Sequence, residues 1–277
     1  MEGLPTATAV EAIAAVRSDT GRRDTMEDAH VLEVQGTEPL RVLGAVFDGH
    51  NGAGVAQFAA ERLPQLFRDH LDRGPDEALR RAFELIDEAT AEMEGGAVAA
   101  AFYIDGDRVI VVNVGDAHIV GVSGREAVRY TEDHRLTNIS ERERVVASGA
   151  IIDGPYVCLS TGDGLMPTRT LGDHAFQEVG VISAPAVSTR LAPSDFLIAA
   201  CDGLWDVVER TELPDLLDGL VTADQAADRL LHEALNERWT MDNVTILVVR
   251  TRRPGHVEGP SPTKSLITAL THPRADD

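Results

Sequence analysis

Apolar residues along this chain fall into short runs whose composition and spacing separate strands from helices. Runs rich in β-branched and other apolar residues predict strands. The predicted strands cover 41–47, 97–104, 108–114, 117–122, 126–130, 196–201 and 244–250. Asp105-Gly106 and Ser123-Gly124 separate two neighbouring pairs of these runs and predict tight hairpin turns. The runs between residues 97 and 130 therefore predict an antiparallel meander, joined by the other apolar runs.

Helical spacing of apolar residues predicts two helices between the first and second strands. The first extends from Val55 to Leu71, and Pro64 within it predicts a break or a kink. The second covers residues 79–93. Because only a short segment connects them, these two helices are expected to pair as a helical hairpin.

Capping-box spacing predicts two more helices. Ser140 precedes Glu143 by three residues, and Thr222 precedes Gln225 by the same distance. The helices predicted to start there cover 141–148 and 223–238. Strand runs separated by helical segments indicate sheets covered by helices, which is an α+β architecture.

The length of 277 residues, of which 43% are hydrophobic, allows one sizeable core. No internal repeat or linker interrupts residues 17–250, which predicts a single domain after an N-terminal segment of residues 1–16. Residues 251–277 contain four prolines and little helical periodicity, so they are predicted to form a flexible C-terminal tail.

Charge and composition disfavour several classes of protein. The chain has 25 basic and 46 acidic residues, a formal net charge of −21, which disfavours nucleic acids and anionic membranes as partners. Lys264 in the predicted tail is the only lysine, so a phosphate-loop ATPase, a protein kinase or a Schiff-base enzyme would lack its essential amine. The N-terminus lacks the pattern of a secretory signal, and Cys158 and Cys201 are too few for a disulfide framework. We therefore expect an intracellular monomer, cytoplasmic or nuclear.

Aspartates stand at the ends of four predicted strands. These are Asp48, Asp116, Asp202 and Asp242. Each one alone is typical of an ordinary turn, because aspartate binds local backbone and a neighbouring glycine supplies positive φ. Gathered at one rim, however, the carboxylates would raise one another's pKa values, and a cation would relieve the repulsion. Oxygen ligands without zinc-type Cys/His spacing favour Mg²⁺ or Mn²⁺.

Three residues near these aspartates have candidate roles of their own. His50 is a candidate general acid, with a loop histidine or local cap as the alternative. Arg23 carries a fork of donors that suits a phosphate oxyanion, with a salt bridge to a neighbouring acidic residue as the alternative. Gly49 has no side chain, so its carbonyl can approach an ion.

Six short motifs carry a resemblance to a known family. They are RDTMEDAH (23–30), FDGHNG (47–52), VGD (114–116), TRTLGD (168–173), CDGLWD (201–206) and MDN (241–243). In this order they resemble the motifs of the metal-dependent protein Ser/Thr phosphatases of type 2C, over about residues 17–250. Each motif is weak alone, but the ordered set is specific. The resemblance implies a four-layer αββα sandwich, with two antiparallel β-sheets flanked by pairs of antiparallel helices.

The resemblance also implies a two-metal site. Asp48 would bridge two Mn²⁺ or Mg²⁺ ions, Asp202 and Asp242 would complete one of them, and the Gly49 carbonyl would bind the other. Glu27 would act through a metal-bound water.

The other site residues take their implied roles from the same resemblance. Asp28 would also act through a metal-bound water, and Asp116 and Asp206, with Asp202 shared, match a weaker third metal position. Arg23 would hold the phosphate, and His50 would protonate the leaving alcohol.

The function implied is hydrolysis of phosphoserine and phosphothreonine in proteins by direct attack of a water or hydroxide that bridges the ions. Two alternatives stay open: a non-catalytic binding protein that keeps the fold, and a metal phosphoesterase for small molecules. The chain departs from the family pattern at Gly95–Val98, where a hydroxyl expected near the third metal is missing, and at 153–167, the flap beside the active site. Asp173 is expected to be structural rather than a ligand.

Overall fold

Residues 13–251 are described by a computed structural model, and their strands form two large antiparallel sheets. The strands are β1 (Ala14–Asp19), β2 (Asp28–Thr37), β3 (Leu40–His50), β4 (Gly96–Asp105), β5 (Arg108–Val114), β6 (His118–Ser123), β7 (Glu126–Arg129), β8 (Ile151–Asp153), β9 (Tyr156–Cys158), β10 (Gly164–Leu165), β11 (Leu171–Gly172), β12 (Ala186–Leu191), β13 (Phe196–Ala200) and β14 (Val244–Arg250). The helices are α1 (Gly54–His70), α2 (Pro75–Ala89), α3 (Ile139–Ala147), α4 (Asp202–Trp205), α5 (Leu213–Leu216) and α6 (Ala223–His232).

One sheet has the strand order β1-β14-β13-β6-β7, and the other has the order β12-β5-β4-β3-β2, with β11 paired to the start of β4. Strands β8 to β10 form a separate small sheet. Most strands of the two large sheets are buried on both faces and are therefore continuous apolar runs rather than alternating ones. For this reason the apolar runs in the sequence predicted most of these strands correctly.

Three apolar clusters show that the molecule has four layers. Along β3, Phe47 packs with α1 and α2, whereas its neighbour Val46 faces the second sheet. On that sheet, Leu197 of β13 faces the space between the sheets, and Ile198 packs with α6. The alternation places one cluster between the sheets and one under the helices on each outer face. This confirms the predicted αββα sandwich.

The first predicted helix does not break at its proline. Helix α1 is continuous from Gly54 to His70 and contains Pro64. Proline removes one backbone donor, but the turns on either side of it bury Leu63 and Phe67 completely in the cluster shared with α2. Because this packing stabilises the helix, tertiary structure overrides the local preference. The predicted helical hairpin is confirmed.

One helix start was predicted correctly and one was not. Thr222 caps α6 and accepts a hydrogen bond from the backbone N–H of Gln225. Helix α3 starts two positions before the prediction, because Asn138 rather than Ser140 is the cap. The Oδ1 atom of Asn138 accepts from the Ser140 backbone N–H at 3.2 Å and from its hydroxyl at 2.9 Å. Serine therefore donates to the cap instead of forming it.

Both predicted hairpins form, with their turns shifted by one residue. Asp105 and Ser123 end their strands, and Gly106 and Gly124 follow with φ of 65° and 57°. Each glycine is the first of the two central residues of its turn, and a type II′ turn requires glycine at that position. The predicted meander is wrong, because β4 and β5 lie in one sheet and β6 and β7 in the other. The chain crosses between sheets at residues 115–117.

Strands β1, β2 and β12 were not predicted from the apolar runs. β1 pairs with β14 and begins at Ala14, before the domain boundary expected at residue 17. The rest of the N-terminal segment and nearly all of the predicted tail lie outside the described residues. Between residues 13 and 251, no helix has the length and apolar character needed to cross a membrane.

Candidate active site

A cleft of about 560 Å³ opens where ends of strands from both sheets meet. In the six-stranded sheet, β2 begins, β3 ends and β5 ends at this edge, and in the five-stranded sheet β13 ends and β14 begins there. The cleft is lined by eight of the ten predicted site residues: Arg23, Glu27, Asp48, Gly49, His50, Asp116, Asp202 and Asp242. Asp28 and Asp206 do not line it, but Asp28 has an oxygen within 4.8 Å of one on Asp48, and Asp206 shares the guanidinium of Arg135 with Asp116 and Asp202. The structure thus gathers the carboxylates predicted to share one rim.

The closest pair of carboxylates results from strand register. Asp28 at the start of β2 is directly opposite Asp48 near the end of β3. One carboxylate oxygen of each and the Sγ atom of Cys201 lie within 4.8 Å of one another. The Oδ2 atom of Asp28 is buried and has no hydrogen-bond partner. Like charges directly opposite each other destabilise a sheet, so this pair costs stability without a counter-ion.

The pKa values show the same charge crowding. Burial, followed by the charges of Asp202 and Asp28, raises the pKa of Asp48 well above its usual range. Burial, opposed by hydrogen bonds and reinforced by Asp242 and Glu27, raises the pKa of Asp28 to about 6. Burial and then the neighbouring carboxylates raise the pKa of Asp202 to about 7. A bound cation would favour the ionised form of each of these groups.

The donor set fits a hard divalent cation. Carboxylate oxygens and a backbone carbonyl are the ligands that Mg²⁺ and Mn²⁺ prefer, and the orphaned buried oxygen of Asp28 is a donor position that a cation and its water would satisfy. A fully buried thiol is also present at Cys201, but burial raises its pKa well above the usual value. The thiol therefore stays protonated beside an oxygen site.

Close backbone packing holds the loops that carry these ligands. A Cβ atom on Gly203 would lie 1.9 Å from the carbonyl oxygen of Asn243, so only glycine allows α4 to sit against the start of β14. The Asn243 side chain then holds the loop of residues 20–27 at three points. It donates to the carbonyl oxygens of Thr20 and Thr25, both at 2.9 Å, and accepts from the backbone N–H of Glu27 at 2.8 Å. Asn243 belongs to the MDN motif, but the sequence alone did not indicate this role.

Arg23 lies on the loop that Asn243 holds. Its side chain is 59% exposed, and Nη2 donates to Oδ2 of Asp242 at 2.6 Å. The salt bridge that was the alternative for Arg23 is therefore present, and it is formed with a predicted metal ligand at the mouth of the cleft. The guanidinium is exposed enough to reach an anion that enters the cleft.

His50 is paired with a residue that the sequence assigned to structure alone. Its Nε2 atom lies 2.6 Å from Oδ2 of Asp173, whose side chain is only 5% exposed. Asp173 has a left-handed backbone with φ of 48°, and its N–H donates to the carbonyl of Gly95. A Cβ atom on Gly96 would lie 2.0 Å from Oδ2 of Asp173 and 2.9 Å from Nε2 of His50. The missing side chain at Gly96 thus makes room for the His50–Asp173 pair, not for the region of the third metal.

Arg135 is a second residue that sequence reasoning missed. Its guanidinium contacts Asp116, Asp202 and Asp206, three carboxylates assigned to metal positions. In the sequence Arg135 follows Asp133 and His134 in a polar segment beyond β7. Nothing in that local pattern indicates the long-range pairing.

The flap forms one wall of the cleft. Tyr156, Leu165, Met166 and Pro167 line it, and the small sheet of β8 to β10 is anchored by its own apolar cluster around Val157 and Phe176. The predicted departure from the family pattern therefore lies beside the site, where it can contact a substrate.

The metal-free protein is expected to lose stability as pH rises. Because the pKa values of Asp28 and Asp202 lie at about 6 and about 7, above the usual 3.8, the folded state keeps protons that the unfolded state has lost. The free energy of unfolding should therefore fall between about pH 4 and pH 7.

At about pH 7.5, Mn²⁺ should raise the thermal midpoint, since an ion at 100 times its dissociation constant contributes about 2.7 kcal/mol per site. Thermal scans in chelator and in Mn²⁺ across this range test both effects, and a midpoint indifferent to pH and to Mn²⁺ would contradict them.

Comparison with known proteins gives a consistent assignment. The profile of a family described as protein phosphatase 2C matches residues 14–244. A protein of Oryza sativa subsp. japonica, named "Probable protein phosphatase 2C 59", is 33% identical over 246 residues, which cover 84% of this chain and 74% of that protein. An Arabidopsis thaliana protein of the same name is 31% identical, with 84% of this chain and 78% of that protein covered.

Solved structures share the fold. The serine-threonine phosphatase 2C of Toxoplasma gondii superposes with a TM-score of 0.71 at 20% identity, covering 86% of this chain and 94% of that one. A sex-determining protein of C. elegans superposes with a TM-score of 0.76 at 24% identity, covering 88% of this chain and 66% of that one. At these identities the likeness shows the architecture alone.

Proposed function

Because the chain belongs to the protein phosphatase 2C family, we propose that it hydrolyses phosphoserine and phosphothreonine with Mn²⁺ or Mg²⁺ held in the carboxylate cleft. Membership makes it a protein serine/threonine phosphatase, and the ion requirement and the roles of individual residues are the proposal. The observation that carries the proposal is the crowding of Asp28, Asp48 and Asp202, which raises their pKa values and leaves a buried oxygen of Asp28 unpartnered; a bound cation would relieve both.

The residues that would hold the ions are those that the family resemblance assigns, and the cleft brings most of them together. Asp48 lies centrally and would bridge two ions, Asp202 and Asp242 would complete one, and the carbonyl of Gly49 would bind the other. Glu27, with Asp28 behind it, would act through ordered water. When bound, such ions supply Lewis-acid activation of water and stabilise charge on the phosphoryl oxygens. The proposed nucleophile is water, which attacks phosphorus directly, so no covalent phosphoenzyme forms.

Arg23 and His50 would handle the substrate itself. The exposed guanidinium of Arg23 would bind the phosphate at the mouth of the cleft, exchanging part of its contact with Asp242 for the new anion. His50 would give a proton to the leaving alcohol. With Nε2 held by Asp173 at 2.6 Å, Nδ1 is the ring nitrogen left to carry that proton. Asp173 would act by fixing the orientation of the ring.

The proposal extends to partners, location and domain limits. The substrates are phosphoproteins, and the net charge of −21 disfavours nucleic acids and anionic membranes. We place the protein inside the cell, in cytoplasm or nucleus, as a monomer; both Cys158 and Cys201 are free thiols, as expected there. The catalytic domain proposed for residues 17–250 overlaps the family match at 14–244.

Neither alternative function is favoured by an observation at the site. A non-catalytic member of the fold would be expected to lose metal ligands, whereas every predicted metal position is retained here, either lining the cleft or, for Asp28 and Asp206, next to it. A small-molecule phosphoesterase would be expected to enclose its substrate. Here the apolar flap residues and an exposed Arg23 border a cleft that a protein segment can enter.

Turnover is expected to depend on added divalent ions. Protein purified in chelator should not hydrolyse a phosphothreonine peptide, and millimolar Mn²⁺ or Mg²⁺ should restore activity, because the proposed nucleophile is a water that the ions would activate. The measurement is phosphate release during Mn²⁺ titration, with a phosphorylated sugar as a second substrate. Full activity in excess chelator would refute the metal proposal, and preference for the sugar would favour the small-molecule alternative.

A further inference from the structure

Arg135 places a fixed positive charge among three carboxylates, two of which line the cleft. Its Nε atom lies 2.5 Å from Oδ2 of Asp116, and its Nη2 atom lies 3.5 Å from Oδ2 of Asp202 and 3.7 Å from Oδ1 of Asp206. Asp116 is 6% exposed and Asp202 25% exposed, so two of the three ion pairs are shielded from water. These carboxylates are the same three that the family resemblance assigned to a weaker third metal ion.

The backbone fixes Arg135 in this place. Residue 135 forms an isolated antiparallel bridge with Pro167. The preceding residue, His134, is fully buried and accepts from the N–H of Gly115 at its Nδ1 atom, at 3.1 Å. The carbonyl of His134 also accepts from the N–H of Thr168 at 2.7 Å. Two other segments of the chain, at Gly115 and at 167–168, therefore hold the backbone of His134 and Arg135 in place.

A guanidinium and a divalent cation compete for this position. Each would need the same oxygens of Asp116, Asp202 and Asp206, and two cations sharing these oxygens would repel each other. Arginine stays protonated at every accessible pH and its donor fork suits carboxylates. The residues present therefore do not fit a third ion while Arg135 is in place.

We infer that Arg135 takes the place of the third metal ion, so that this phosphatase binds two ions and carries the third cation as a side chain. This inference rests on the proposed two-ion function. The contact with Oδ2 of Asp202 gives Arg135 a further effect. Because this contact restrains a carboxylate proposed to hold a core ion, Arg135 is also a positioning residue for the metal site.

Counting bound Mn²⁺ tests the inference directly. We would titrate Mn²⁺ into chelator-treated wild type, Arg135→Gln and Arg135→Lys, using calorimetry together with metal analysis after equilibrium dialysis. Wild type and Arg135→Lys should bind two ions per chain, and Arg135→Gln should bind three, the last weakly. Adding Asp116→Asn to Arg135→Gln should abolish the third site, because Asp116 is its most buried ligand. Arg41→Gln, which breaks an Arg–Asp pair at the far end of β4, is the matched control and should bind two.

The outcomes separate this inference from the function it rests on. A third ion in wild type that is lost in Asp116→Asn would overturn the inference, and so would two ions in a folded Arg135→Gln. If Arg135→Gln does not fold, the wild-type count with and without Asp116→Asn still decides the question. Failure of the proposed function would differ, since wild type would then bind no ions and release no phosphate.

Discussion

Asp48→Asn is expected to reduce turnover of a phosphothreonine peptide by about 1000-fold or more while making the metal-free protein more stable. The loss of turnover follows because Asp48 is the central ligand proposed for both ions, and loss of about 4 kcal/mol of transition-state stabilisation corresponds to about 1000-fold. The gain in stability follows because the neutral amide removes a carboxylate whose pKa is raised by burial and by Asp202 and Asp28. The two effects have opposite signs and a single cause.

Two measurements check this result. One is kcat at saturating Mn²⁺, and the other is the thermal midpoint in chelator at about pH 7.5. Asp242→Asn should also lose nearly all turnover. The matched control is Asp105→Asn, at the opposite end of the sheet and paired with Arg41, which should keep wild-type turnover. Substantial activity in Asp48→Asn would exclude a two-ion site centred on this residue, and a lower metal-free midpoint would exclude the charge crowding.

His50→Gln is expected to slow phosphopeptide hydrolysis far more than hydrolysis of p-nitrophenyl phosphate. A serine or threonine alkoxide is a strong base that must be protonated as its bond to phosphorus breaks, and general acid catalysis contributes about 100-fold to 10,000-fold. Nitrophenolate leaves without such help. The measurement is the ratio of kcat values for the two substrates in wild type and variant at saturating Mn²⁺, with metal content checked in both.

Asp173→Asn should show the same substrate dependence in a milder form. The amide keeps the shape of the side chain but loses the charge that accepts from Nε2 of His50 at 2.6 Å, so the ring is held less firmly. KM for the phosphopeptide should change little while kcat falls. Equal losses on both substrates in His50→Gln, with unchanged metal content, would reject His50 as the proton donor, and an unaffected Asp173→Asn would reject the positioning role.

Several elements of the fold could be predicted because their sequence pattern is local. Strands such as β4 and β13 are buried on both faces and are therefore continuous apolar runs. The start of helix α6 could be predicted because the side chain of Thr222 caps it. The errors arose where packing outweighs local preference. Pro64 is accommodated inside α1 because the turns around it are buried, and the two hairpins belong to different sheets because the chain crosses between them at residues 115–117.

Family membership, the αββα layers and the acidic residues of the site could all be predicted from motif order and residue type. How those residues meet depends on the tertiary structure. Asp28 is opposite Asp48 only through the register of β2 and β3. His50 reaches a residue 123 positions away in sequence, and Arg135 reaches Asp202, 67 positions away. Such contacts depend on strand register and on the packing of two sheets, and no local pattern of residues specifies either.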